Sequence, residues 1–409
     1  MALSNPTVSR RAFIGRTLAA ALALPSLGGL LAACSSATAP AATTAPAAAP
    51  KPTQAAQPAA QPTTAPTTVK PAANAANLDQ LVEGARKEGQ LNWIDVTIQQ
   101  FNDPRFHGAF KKRYGLPDSF QINHTFKATG DLITQIQQEV QAGKVTQDYV
   151  LIGDLTFWNG LDRAGALLDY APSELEAVEE QLKKLSFPTN PPRWATVVSY
   201  AFGPVWNKKF VTKDIKSWFD LVDPVFTGKA IQGDIRTSST QTDTYIGLRK
   251  VIGSDFFQKY SEMVNPVLIF RTPEQQQKLT SGEEVISDFH LAARALQAKR
   301  DDNSLDFGAA YPVEGVVPLP IQSGILAGAQ HPNAAKLFAE FMTSQEGQQL
   351  FLDAEVQWPL RSDVTYADEL KQFLTPLDQV KAITMDWSTI TPEARDDARA
   401  EFRRIFKVS

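Results

Sequence analysis

The stretch GDIRTSST, Gly233 to Thr240, carries residue types suited to holding an anion. An apolar strand ends near Ile235, and Ser238, Ser239 and Thr240 stand where a helix begins. The first turn of a helix leaves backbone N–H groups without intrahelical partners, and its dipole favours negative charge there. Arg236 adds a guanidinium able to grip a carboxylate or phosphate through two parallel hydrogen bonds. The same residues also read as ordinary helix capping beside a surface arginine.

A second group is aromatic and polar. Tyr200, Phe202, Trp206 and Asn207 lie on one long β-rich run, and Tyr311 and Glu314 on a later extended one. Rings there could wall a cleft while Asn207 or Glu314 orients a ligand, or they could simply pack a core. A third group is acidic. Asp154, Asp288 and Glu314, if gathered, would suit a cationic amine or a metal. Trp158, just after Asp154, could reach a cleft mouth or be buried. The four histidines, His107, His124, His290 and His331, have no metal-ligand spacing, so no protein-only metal site is expected. The chain lacks G-x-S-x-G, H-E-x-x-H, a P-loop and a dinucleotide glycine motif, so neither an enzyme nor a cofactor is expected.

These residues need a frame. From Leu78 the pattern alternates: LDQLVEGARKEG as helix, QLNWIDV as strand, DPRFHGAFKKRYG as helix, SFQINHTF as strand, TGDLITQIQQEVQAG as helix, DYVLIGD as strand. That order predicts a mostly parallel sheet, with ligands at the carboxyl ends of its strands. Thr97, past the first strand, and Asp154, past the third, fall at such ends. WATVVSYAFGPVWNKK, Trp194 to Lys209, reads as a long extended crossing, after which the alternation restarts with GKAIQGDI, STQTDTYIGLRKVIG, NPVLIF, TPEQQQKLTSGE, EVISDF and LAARALQAKR. DFGAAYPVEGVVPLPIQSGILAG crosses back, and HPNAAKLFAEFMTSQEGQQLFLDA and TPEARDDARAEFRRIF are helical. The layout is α/β with two lobes: 78–199 in lobe 1, 200–309 in lobe 2, and 310–409 returning to lobe 1 with C-terminal helices.

The first 77 residues are of another kind. SRRAFIG precedes an uncharged apolar run of about fifteen residues, too short for a comfortable membrane span, and LAAC ends at Cys34, the single cysteine. SRRAFI resembles a twin-arginine export signal and LAAC a bacterial lipobox, so 1–33 is expected to be a signal peptide and Cys34 a lipidated first mature residue. Residues 34–77, rich in Ala, Pro and Thr and without an acidic or aromatic side chain, read as a disordered tether. Residues 1–77 hold five basic residues and no acidic ones, leaving 35 basic and 44 acidic residues beyond them, a formal charge of −9. That balance argues against a nucleic-acid partner.

LVEGARKEGQLNW, EVQAGKVTQDYVLIGD, GLDRAGALLDYAPSE, YAFGPVWNKKFV, SWFDLVDPVFTGKAIQGDIRTSST, LTSGEEVIS, YPVEGVVPLP and AQHPNAAKLFAEFMTSQEGQQLF together cover nearly all of Leu78 to about Val364. In that order they resemble the extracellular solute-binding proteins of bacterial ABC importers, in the group holding ferric-iron, thiamine, polyamine and phosphonate binders. The resemblance implies a periplasmic-binding-protein-like fold of type II, a small solute held between lobes joined by two extended hinge crossings, and delivery to permease subunits by a membrane-anchored monomer outside the cytoplasm. Ferric binders of the group use adjacent tyrosines, and this sequence has no Tyr-Tyr pair. The expected solute is anionic; the alternatives are a cationic amine or iron species, and, in another class, a secreted enzyme or a sensor input.

Overall fold

The computed structural model describes residues 78–188 and 193–409. The signal, lipobox, Cys34 and tether readings lie outside the described residues.

Lobe 1 begins with α1 (Leu78–Glu88), β1 (Gln90–Asp95), α2 (Asp103–Tyr114), β2 (Gln121–Phe126), α3 (Thr129–Gln141), β3 (Tyr149–Ile152), α4 (Leu155–Arg163), α5 (Glu176–Lys184) and β4 (Trp194–Tyr200). Helix α2 starts on Asp103-Pro104, where proline costs no helical hydrogen bond, and ends at Gly115, whose φ of 59° suits glycine. Lobe 2 runs through β5 (Gly203–Asn207), β6 (Ala230–Gly233), α6 (Ser239–Ile252), α7 (Ser254–Val264), β7 (Val267–Ile269), α8 (Thr272–Ser281), β8 (Ile286–His290), α9 (Ala292–Asp301) and β9 (Phe307–Ala309). The chain then returns through β10 (Leu319–Ile325), α10 (Pro332–Thr343), α11 (Gln345–Glu355) and β11 (Trp358–Pro359), and finishes with α12 (Asp368–Lys371) and α13 (Pro392–Phe406).

Each lobe holds one mixed sheet. The first has the order β11-β4-β10-β3-β1-β2, the second β7-β6-β8-β5-β9. In the first, β1 is parallel to β2 and β3, while β10 runs antiparallel to β3 and β4. In the second, β6 is parallel to β7 and β8, while β5 runs antiparallel to β8 and β9. Ala201-Phe202 carries the chain from one sheet to the other, and residues 310–318 carry it back.

All four residues of β3 are buried because the first sheet is covered on both faces. Trp93, Phe106, Phe110, Tyr149 and Phe338 pack one side, and Ile94, Leu132, Ile152 and Trp158 the other. Burial of each such side chain stabilises the fold by about 1.5–3 kcal/mol. Trp158 belongs to this core, donating its indole N–H to Ile152 O at 2.9 Å.

The C-terminal stretch differs from the expected return to lobe 1. Residues 319–360 join the first sheet and its helices, but the chain beyond them runs beside the second crossing. Val316 N donates there to Lys381 O at 3.0 Å, and Ile383 N donates to Val316 O at 2.7 Å. Helix α13 then packs on α6 and α7 of lobe 2, where its stripe of Ala398, Phe402 and Ile405 joins that lobe's core.

Candidate functional site: a cleft between the lobes

Strand ends from both sheets open onto one cavity of about 890 Å³. Lobe 1 contributes Val96, Thr97 and Gln99 after β1, and Lys127 to Thr129 after β2. Lobe 2 contributes Ser238, Thr240 and Gln241 at the start of α6, Phe270 to Pro273 after β7, and Leu291 and Arg294 after β8. Tyr200 and Phe202 of the first crossing and Gln357 complete the wall.

The turn after β1 is held from below. The buried Asp95 accepts hydrogen bonds from the backbone of Thr97 (3.0 Å) and Ile98 (3.2 Å). His124 stacks on Trp93 at 3.9 Å and lies between Asp103 (2.6 Å) and Asp95 (3.5 Å). Burial pushes His124 down, but the two carboxylates outweigh it and hold the ring above its usual value. Gln357 Nε2 donates to Thr97 Oγ1 at 2.6 Å, fixing the hydroxyl that faces the cleft.

The start of α6 is capped by Ser238, whose Oγ accepts from Gln241 N at 3.2 Å and lies 3.2 Å from Thr240 Oγ1. Thr240 also partners the phenol of Tyr200, which burial pushes up to about 12. Gln241 gives its Nε2 to Phe270 O, while its buried Oε1 has no partner among the described residues.

Among the described residues three cations line the cavity, Lys127 from lobe 1 and Arg271 and Arg294 from lobe 2, against one acid, Asp131. No carboxylate lies within 4.0 Å of any of the three among the described residues. Arg294 Nη2 reaches across the cleft to Gln99 Oε1 at 2.6 Å. Glu355 lies nearby, but its buried carboxyl is pushed up to about 8, chiefly by desolvation, so it is largely neutral near pH 7.

Of the residues singled out in the sequence, Thr97, Tyr200, Phe202, Ser238 and Thr240 line this cavity. Ser239 follows the cap, buried, its Oγ without a partner among the described residues. Tyr311 lies behind the cleft, against Trp358, in a small recess that also reaches Thr97 and Arg294. The others are engaged elsewhere. Arg236 forms a bidentate pair with Asp234 (2.9 and 2.7 Å) and donates to Ser409 O, outside the cavity lining. Asp154 caps α4 and meets Arg395 at 3.2 Å. Trp206 is a core ring lying against Gly308, and Asn207 donates to Leu279 O. Asp288, fully buried, accepts from Gly233 N and is pushed up to about 8 by burial. Glu314 accepts from Ser217 Oγ and Trp218 N. The expected acidic triad is therefore dispersed over three separate hydrogen-bond networks.

Gln99, Lys127, Gln241, Arg271, Arg294 and Gln357 line the site without having been singled out. Lys127 and Arg271 stand directly after β2 and close after β7, so the strand-end rule that marks Thr97 marks them as well.

Residues 105–354 match the family model described as bacterial extracellular solute-binding protein. The chain is similar in fold to the periplasmic binding protein AfuA from Actinobacillus pleuropneumoniae, solved with exogenous fructose-6-phosphate bound. The TM-score is 0.63 and the identity 17%, over 78% of this chain and 99% of that one. Iron-bound HitA from Pseudomonas aeruginosa gives 0.60 and 18%, over 77% and 99%. The Trichodesmium protein IdiA (FutA), in complex with iron and citrate ligands, gives 0.58 and 18%, over 77% and 99%. No curated protein is matched by the chain.

Proposed function

The chain belongs to the bacterial extracellular solute-binding proteins, and on that premise we propose that it captures a small anionic solute between its lobes for an ABC importer. The observation that carries the charge assignment is the cleft itself: Lys127, Arg271 and Arg294, none ion-paired among the described residues, converge with the N-terminus of α6 against the single acid Asp131. A phosphate ester, phosphonate or carboxylate meets backbone N–H dipoles and cations there together. Because the cations come from both lobes, the solute gains contacts as the lobes close, and only such extra contacts shift the open–closed equilibrium. The AfuA neighbour, with its bound sugar phosphate, and the iron and citrate neighbour both accord with an anionic or anion-chelated ligand. A cationic amine is poorly served, since Asp154, Asp288 and Glu314 lie outside the cavity lining.

The receptor reading includes an anchor: twin-arginine export, a diacylglycerol on the Cys34 sulfur, and residues 34–77 as tether to a monomeric binding domain. Cys34→Ser is expected to release the protein from the membrane fraction; undiminished membrane association ends the lipid reading.

Calorimetry with inorganic phosphate, fructose 6-phosphate, citrate and spermidine tests the charge assignment. Arg294→Ala is expected to weaken the anion that binds at least tenfold, about 1.4 kcal/mol, while Arg236→Ala leaves it unchanged. Tight spermidine binding with no anionic ligand overturns the assignment.

A further inference from the structure

Gln99 bridges the two lobes at Arg294, one of the three cleft cations. Its Oε1 accepts from Arg294 Nη2 at 2.6 Å, across the cleft. The rest of the residue is pinned to lobe 1: its backbone N–H donates to Glu355 Oε1 at 3.0 Å, and its Nε2 donates to Thr97 O at 3.2 Å. Glu355 is itself fixed by Asn102 Nδ2 at 2.8 Å. Gln99 is therefore a rigid carbonyl presented by one lobe to a guanidinium of the other. Arg294 makes no other side-chain hydrogen bond among the described residues and no ion pair. A side-chain amide oxygen has the geometry of one oxygen of a carboxylate or phosphate but not its charge, so an anion at the same position makes the stronger bond.

We propose that the Gln99–Arg294 hydrogen bond is a latch between the lobes, and that the solute's anionic oxygen replaces the Gln99 carbonyl on Arg294. The latch holds the guanidinium in its binding orientation and sets the lobe spacing. It also makes the receptor selective, because a solute must offer Arg294 more than a neutral amide does. This rests on the anionic reading of the cleft, and it predicts opposite signs for two substitutions at one position. Gln99→Ala removes the competitor and tightens the anionic ligand about fivefold. Gln99→Glu replaces the competitor by an ion pair and weakens the ligand more than tenfold.

The test uses the full chain with Cys34→Ser, which removes the only native thiol, and with spin labels at Asp118→Cys in lobe 1 and Lys259→Cys in lobe 2, both exposed positions. Lobe-to-lobe distances are measured without ligand, and affinities for inorganic phosphate, fructose 6-phosphate and citrate by calorimetry. Support consists of a broader ligand-free distance distribution for Gln99→Ala, a narrower one for Gln99→Glu, and the two opposite affinity changes. Ligand-free distances identical to wild type in both variants overturn the latch. A loss of affinity in Gln99→Ala matching that of Arg294→Ala overturns it too, making Gln99 a solute contact. If no anionic probe binds the unsubstituted protein, the anionic reading fails, and the ligand-free distances still decide the latch.

Discussion

Glu355, at the end of α11, shows how burial alone changes what a residue contributes. Its carboxyl accepts from Gln99 N and Asn102 Nδ2, yet loss of water outweighs both bonds and lifts it from 4.5 to about 8. Between those values the folded protein keeps a proton that the unfolded chain has released, so stability falls as pH rises from about 4.5 to 8 and levels off above. Asp288 acts with the same sign. Glu355→Gln preserves the accepting oxygen and removes the charge. It is expected to melt several degrees above wild type at pH 8.5, on the order of 3 kcal/mol, with the gap closing towards pH 4.5. Identical pH profiles for the two proteins would contradict a neutral Glu355. The neutral form also adds no negative charge near Arg294.

At the scale of elements, spacing and caps made most of the scaffold readable. Asp103-Pro104 and Gly115 bracket α2, and the alternation of β1, β2 and β3 with helices accounts for their parallel pairing and the strand end at Thr97. The mostly parallel sheet it predicts is instead mixed, because β10 and β11, contributed from after the second crossing, run antiparallel to their neighbours. The apolar positions of α7, Phe256, Phe257, Tyr260 and Val264, recur at helical spacing as well, a helix absent from the expected alternation. What sequence could not show is where long-range partners lie. Asp154 looks like a strand-end ligand until Arg395, 241 positions away, meets it. Arg236 looks free until the short turn after Asp234 folds the two into a bidentate pair. Trp206 looks like a cleft wall, but β5 and β9 pair so that its ring covers Gly308. A Cβ at Gly308 would overlap the Trp206 ring, so Gly308→Ala must displace the ring or the strand. The expected loss is about 1–3 kcal/mol of stability with unchanged solute affinity in the folded fraction. A solute-affinity change without a stability change would return Trp206 to the site.

Across the whole molecule, the two sheets are joined by more than the two crossings. The stretch from 361 lies along the second crossing, and α13 closes on α6 and α7, bringing Arg395 to carboxylates of both lobes. Arg395 grips Asp243 on α6 through Nε (2.8 Å) and Nη2 (2.9 Å) and reaches Asp154 at the start of α4 at 3.2 Å, all three side chains buried. A buried pair gains little over a well-packed apolar one, but losing one member leaves an uncompensated charge. The two ends of this brace are therefore unequal. Arg395→Ala strands Asp154 and Asp243 together and is expected to cost about 3–5 kcal/mol. Asp154→Asn keeps the bidentate Asp243 pair and is expected to cost about 1 kcal/mol. The hydrophobic core of lobe 2 continues through the crossings to Leu352, Val356 and Trp358, so wild type is expected to unfold in one calorimetric transition. Arg395→Ala, by untying α13 from α4, is expected to lower that transition most and to separate the first lobe's melting from the second's. Equal melting of Arg395→Ala, Asp154→Asn and wild type in a single peak would show that the lobes are held by their crossings alone.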